Sequence, residues 1–244
     1  MLKNNSSKNN NNNSINYQKK FKEFWDNLKL VERYTYFRIK PYVGKSQFEI
    51  YEELTGKTFE IGRAPKNLNK LITDLIIGKD EDLAKKYNFF RNYTFKIKNL
   101  PLTKKGSPRE RMAFRTIKLD EFADEWDNSA WKSFFDETIF LMVLWQEPRV
   151  NSKNGERILK GFKFLIFNDI ELESFEKTYN MIKESIEKED ISLLPKPMSF
   201  ENKYLEVAPK GQRGDDAYNT FFNRNNTHVC LMLNKRFLNQ KLNN

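Results

Sequence analysis

Lys96 and Lys98 alternate inside an aromatic and apolar run, residues 93–102. Side chains two apart on a strand leave the same face, so this spacing predicts two ammonium groups side by side, a seat for phosphate. The turn that follows holds Lys104, Lys105, Gly106, Ser107 and Pro108, and Arg109 and Arg111 lead out of it. Together these form the strongest basic patch of the chain. A second basic group lies near the C-terminus, with Lys210, Gln212 and Arg213 in a glycine-containing loop and Lys235 and Arg236 further on. Lysine and arginine bind phosphate oxygens, while Gln and Arg also read adenine and guanine edges through paired hydrogen bonds. The plain alternative for each is a solvated charge on a turn or helix surface.

Composition points the same way. The chain has 244 residues and a formal net charge of +10, and an excess of lysine attracts polyanions. Codon bias toward Lys and Asn would leave the same excess with no partner at all. Apolar residues make up 39% of the chain, 21 of them Phe, enough for a real core beside 31% charged residues. Cys230 is the single cysteine and His228 the single histidine. An intrachain disulfide is excluded, a Cys/His zinc site is disfavoured, and any Ser-His-Asp triad would have to use His228. No apolar run approaches the roughly 18 residues of a membrane span, which sets the expectation of a cytoplasmic protein with no membrane partner.

The elements that must position these residues are read from periodicity. Residues 1–16 are rich in Asn, Ser and Lys and are expected to be a disordered tail, leaving residues 17–244 as one domain. Phe21, Phe24, Trp25 and Leu28 recur at helical spacing. Ser46 and Glu49 form a capping box for a helix over residues 47–54. Residues 66–77 form another helix, ended by Gly78. Strands are expected at 93–102, 112–119, 138–145, 161–167, 204–207 and 229–233, with the first two joined as a hairpin. Residues 120–126 and 131–135 look helical, 172–186 form a long amphipathic helix, and 234–238 open the last one. Trp126, Trp131 and Trp145 sit among apolar residues and are expected in the core rather than as stacking platforms. The mixture gives an α/β (α+β) fold, a mixed central sheet flanked by helices.

From about Phe37 onward the chain resembles the MutH/Sau3AI-like restriction endonuclease family. The run Lys96-Ile97-Lys98-Asn99-Leu100-Pro101-Leu102-Thr103-Lys104-Lys105-Gly106 falls at the family's catalytic hairpin. Arg109-Glu110-Arg111-Met112-Ala113-Phe114 follows in the expected place. Phe122-Ala123-Asp124-Glu125-Trp126, Leu159-Lys160-Gly161-Phe162 and Val229-Cys230-Leu231-Met232-Leu233 keep the order of the second, C-terminal domain of the Sau3AI-like enzymes. The resemblance implies a restriction-endonuclease-like, MutH-like fold, GATC recognition and, for that second domain, an allosteric DNA-binding role without catalysis.

The family's active members carry a helix acid, two acids around the central strand and a lysine. Asp74, four residues before Gly78, matches the helix acid, and Lys98 matches the lysine. Lys96 replaces the strand acid, and the remaining aspartate would fall near Phe89. Asp80, Glu81 and Asp82 are too distant for the compact form of the motif, although an unusual turn would bring one of them closer, to serve with Asp74. Ala208 stands where the family has an arginine before proline. Carboxylates would hold Mg²⁺ against the phosphate, whereas an ammonium in that place repels the cation. The expectation is therefore a degenerate site (Asp74, Lys96, Lys98) with no metal and no cofactor. The protein would bind double-stranded DNA as a regulatory domain or subunit of a restriction-modification system, beside a separately encoded catalytic subunit. The alternative is an active endonuclease cleaving at GATC with Mg²⁺, so enzyme status stays open on sequence.

Overall fold

A computed structural model describes residues 7–60, 63–91, 93–197, 204–209, 216–219, 221–222 and 229–243, with side chains from Lys22 onward. Its frame is two three-stranded sheets. The first holds β1 (Thr94–Leu102), β3 (Thr138–Gln146) and β4 (Ile158–Leu165), in the order β1-β3-β4. β1 runs parallel to β3 in the register Thr94↔Thr138 to Leu102↔Gln146, and β4 is antiparallel to β3. The second holds β2 (Met112–Thr116), β5 (Leu205–Pro209) and β6 (Val229–Leu233), with β6 in the middle and both pairings antiparallel.

This corrects two expectations. The single central sheet is two sheets, and the β1–β2 hairpin exists only at its tip. There, Leu102 bridges Pro108, the Thr103 N–H donates to Ser107 O, and the Arg109 N–H donates to Pro101 O. Pro101 and Pro108 have no N–H to give, so the ladder cannot continue. β2 then leaves to pair with β6.

β3 carries the core. Its run is apolar because both faces are covered. Ile139, Leu141, Val143 and Trp145 enter one cluster, and Phe140 and Met142 enter the other. The first cluster lies under α1 (Ser7–Ile39), α2 (Gln47–Thr55), α3 (Leu68–Ile76), α4 (Asp80–Lys86) and α5 (Asn88–Arg91). The second joins the inner face of the β2-β6-β5 sheet to α6 (Ala130–Glu137), α7 (Asp169–Glu187), α8 (Asp216–Asn219) and α9 (Lys235–Asn243). Trp126, Trp131 and Trp145 are 5%, 0% and 0% exposed, as core residues should be.

Local signals explain the helix starts. Ser46 and Glu49 form the expected capping box on α2, and Asn168 and Glu171 form another on α7. Each cap contributes about 1 kcal/mol. The acidic run Asp80-Glu81-Asp82 is the first turn of α4, and Lys85 and Lys86 its last. That distribution suits the helix dipole at both ends, and it accounts for an element the periodicity did not suggest. The strand expected over 112–119 stops at Thr116, because Leu119–Phe122 forms a 3-10 turn. β4 begins three residues earlier than expected, at Ile158. The backbone of α1 is helical from Ser7; among its described side chains Phe24 packs against the core and Leu28 and Val31 are buried in it. Among the described residues no helix is long and apolar enough to cross a membrane.

Candidate nucleic-acid interface

β1 is an edge strand, so alternate backbone groups face away from β3. One of them, the Ile97 N–H, donates to Asp80 Oδ1 at 3.1 Å. Asp80 was expected to come near only through an unusual turn, and the backbone after α3 takes one. Gly78 adopts φ 113°, and a Cβ there would meet Leu83 at 3.2 Å. This glycine reverses the chain and delivers Asp80, two residues on, to the strand edge. Burial, the largest influence, raises the Asp80 pKa; the Ile97 N–H, Lys96 and Lys70 pull it back, and Asp74 pushes it up again. Asp74 is itself paired with Lys70 at 2.6 Å. Two carboxylates and two ammonium groups therefore share the open side of β1.

The two strand lysines part company. Lys96 is exposed. Lys98 is half-buried, donates from Nζ to Ala113 O at 2.9 Å, and lies 5.8 Å from the centre of the Phe114 ring. Lys96 thus faces solvent, while Lys98 ties β1 to β2. On the opposite face Asn99 Oδ1 accepts from Thr73 Oγ1 at 2.6 Å and from Trp145 Nε1 at 2.8 Å. That pair of bonds fixes α3 against β1 and β3, and with it the height of Asp74.

The hairpin tip holds Lys104 and Lys105 in solvent, and Gln146 Nε2 fixes the turn by donating to Lys104 O at 2.9 Å. Arg109 is ion-paired with Glu147, and Arg111 with Glu206. Arg115, which the sequence reading passed over, pairs with Glu121 at 2.8 Å. Its signal was a third arginine close behind Arg109 and Arg111. Half-buried Arg157 faces the same group: burial first, then Arg109, hold its pKa below the usual range, against the pull of Glu147 and Glu110.

Strand register brings the C-terminal candidates alongside. Met112 is opposite Leu233, so the start of β2 lies beside the end of β6, where α9 opens with exposed Lys235 and Arg236. Asn234 Oδ1 caps that helix by accepting from the Phe237 N–H at 2.8 Å. Two cations in a first turn oppose the helix dipole, and they concentrate positive potential there. Lys210, Gln212 and Arg213 lie outside the described residues. Ala208 is 3% exposed in β5, opposite Cys230.

Among the described residues, no three His, Cys, Asp or Glu side chains converge so as to hold a metal ion. A cavity of about 670 Å³ opens beside α7, lined by Lys118, Phe122, Lys183 and Phe222 among others, and none of the described candidate residues lines it. The described candidates lie at the open edge of β1, at the basic tip, at the start of β2 and at the start of α9.

No protein-family model matches this chain. It is 28% identical over 148 residues to the type II restriction enzyme Sau3AI of Staphylococcus aureus, a stretch covering 56% of this chain and 28% of that enzyme. The chain thus spans little more than a quarter of that relative's length. The likeness is distant, and with the mixed α/β architecture it fits a restriction-endonuclease-like protein.

Proposed function

We propose that this chain is a sequence-specific module for double-stranded DNA, restriction-endonuclease-like in build and degenerate as a nuclease. The observation that carries the reading is Lys96. At the strand position where such enzymes carry a metal-binding acid, this chain exposes an ammonium, beside a carboxylate pair already neutralised by lysines. Phosphate fits that surface better than a divalent cation. In this reading Lys96, Lys104, Lys105, Lys235 and Arg236 contact the backbone, Arg109 and Arg111 flank it, and Gln212 and Arg213 reach base edges with Lys210 beside them. The preferred site is GATC-like. The chain corresponds to the C-terminal, regulatory part of a Sau3AI-like enzyme, residues 17–244 acting as one domain in the cytoplasm beside a separately encoded catalytic subunit.

One observation favours a second reading. Asp80 and Asp74 influence one another at the edge of β1. They could give Mg²⁺ two carboxylate ligands, with waters and phosphate completing its octahedron, for cleavage at GATC.

A paired assay separates the two. A GATC duplex and a scrambled duplex of equal length are offered to the purified chain with EDTA or Mg²⁺, at two salt concentrations. Site-preferring binding in EDTA, without cutting in Mg²⁺, is the expected result. Mg²⁺-dependent cutting at GATC that disappears in Asp80→Asn would establish the second reading instead. Binding that ignores salt would argue against phosphate as the ligand.

A further inference from the structure

Arg109, Arg111 and Arg115 follow one another through the bend after the hairpin tip and into β2, whose pairing with β6 shifts register between Ala113 and Thr116. Met112 and Phe114 enter the core, while Arg111 and Arg115 reach solvent. Each guanidinium meets a carboxylate from a different part of the chain: Glu147 just past β3, Glu206 in β5, and Glu121 in the 3-10 turn. The exposures are lopsided. The glutamate side chains are 7%, 5% and 13% exposed, and their arginines 43%, 38% and 44%. Arg115 is held from a second side as well, with its Cζ 4.5 Å from the centre of the Trp131 ring.

Such an arrangement is a poor way to gain stability. A half-exposed pair gains little, and burying a carboxylate costs desolvation. It is a good way to fix an arginine. The planar fork has five N–H donors, so one or two bonds to a buried acid set its plane and leave donors for another acceptor. Glu206 is reached by Arg111 Nε, while Glu147 and Glu121 are reached by Nη1 of their arginines. The terminal nitrogens of Arg111, the pair suited to end-on recognition, are not needed for its contact with Glu206. A side chain ordered in advance also loses less freedom when its ligand arrives.

We propose that this row is the orienting edge of the DNA surface, with Glu147, Glu206 and Glu121 as positioning residues that hold the three guanidinium planes toward a duplex; the proposal rests on the DNA-binding reading above. Because each pair is close to neutral, the row adds little long-range attraction. That comes from the exposed lysines Lys96, Lys104 and Lys105. The row contributes discrimination, so removing a glutamate should sharpen nonspecific attraction while blurring choice.

The test uses the full chain and its Glu206→Gln, Glu147→Gln, Glu121→Gln and Arg111→Lys variants. Affinities are measured for the GATC and scrambled duplexes, and the Arg Nε–H signals are followed by NMR without DNA. The free protein should show a slowly exchanging Arg111 Nε–H that Glu206→Gln abolishes. Preference for the GATC duplex should fall about tenfold in Glu206→Gln and in Arg111→Lys, while affinity of the glutamate variants for the scrambled duplex holds or rises. Unchanged preference with only a lower melting temperature would reduce the glutamates to structural braces and overturn the proposal. Wild-type binding without preference would overturn it too, leaving phosphate-driven binding intact. No DNA binding by the wild type, even at low salt, would remove both readings.

Discussion

Asp80 shows how much one carboxylate depends on where the chain delivers it. Burial raises its pKa, so the folded state holds the proton more tightly than the unfolded one. Stability tied to this group is then greatest at low pH and falls as pH rises through the ordinary carboxylate range and the folded value above it. Asn at this position keeps an oxygen for the Ile97 N–H and carries no charge. Asp80→Asn is therefore expected to melt no lower than the wild type at pH 7, with its relative advantage shrinking toward pH ~4. Thermal melts across that range check this, and an advantage that grows on acidification would contradict the assignment of burial as the dominant cause. At this scale the sequence told residue types well and destinations badly. Lys96 and Lys98 were legible as a pair on one face, yet nothing local says that Lys98 ends on Ala113 O while Lys96 stays in water. That outcome depends on β2 joining another sheet. The partners of Arg109 and Arg111 were hidden for the same reason, since Glu147 and Glu206 come from distant parts of the chain.

Among the elements, β1 depends on a polar knot that no periodicity announces. Asn99 gives one oxygen to two donors, Thr73 and Trp145, which are 1% and 0% exposed. Asn99→Ala would leave both donors buried without an acceptor, at about 1–3 kcal/mol each. Urea unfolding should show a loss of roughly 2–4 kcal/mol, and a loss below about 0.5 kcal/mol, the scale of an ordinary surface change, would mean that water or a rearrangement replaces the bonds. Elements with local signatures were readable in advance: the Ser46/Glu49 box, the glycine after α3, and the unbroken apolar run of β3. Those decided by pairing were not. The β1–β2 hairpin looked secure from its turn, and Pro101 and Pro108 carried the warning that its ladder would stop.

Seen whole, the molecule packs two cores against β3. Lys104 and Lys105 at the exposed tip should act mainly through charge. Replacing both with Ala is expected to weaken binding to GATC and scrambled duplexes alike, and to reduce the dependence of log K on log salt by about one per lysine. A drop confined to one sequence would instead make them base readers. The order of strands in space has a further meaning for a chain made from one end. β6 is the seam of its sheet and comes after both of its neighbours, β2 and β5, in chain order. While the ribosome works, Met112, Phe114, Leu205 and Val207 have no middle strand to close over, and Arg111 has no settled Glu206 to meet. Cutting the chain before Val229 should leave the helices over β1 and β3 protected while trypsin opens the stretch around Arg111 and Arg115. The arginine row would be a late product of folding, settled only once β6 has joined its two neighbours.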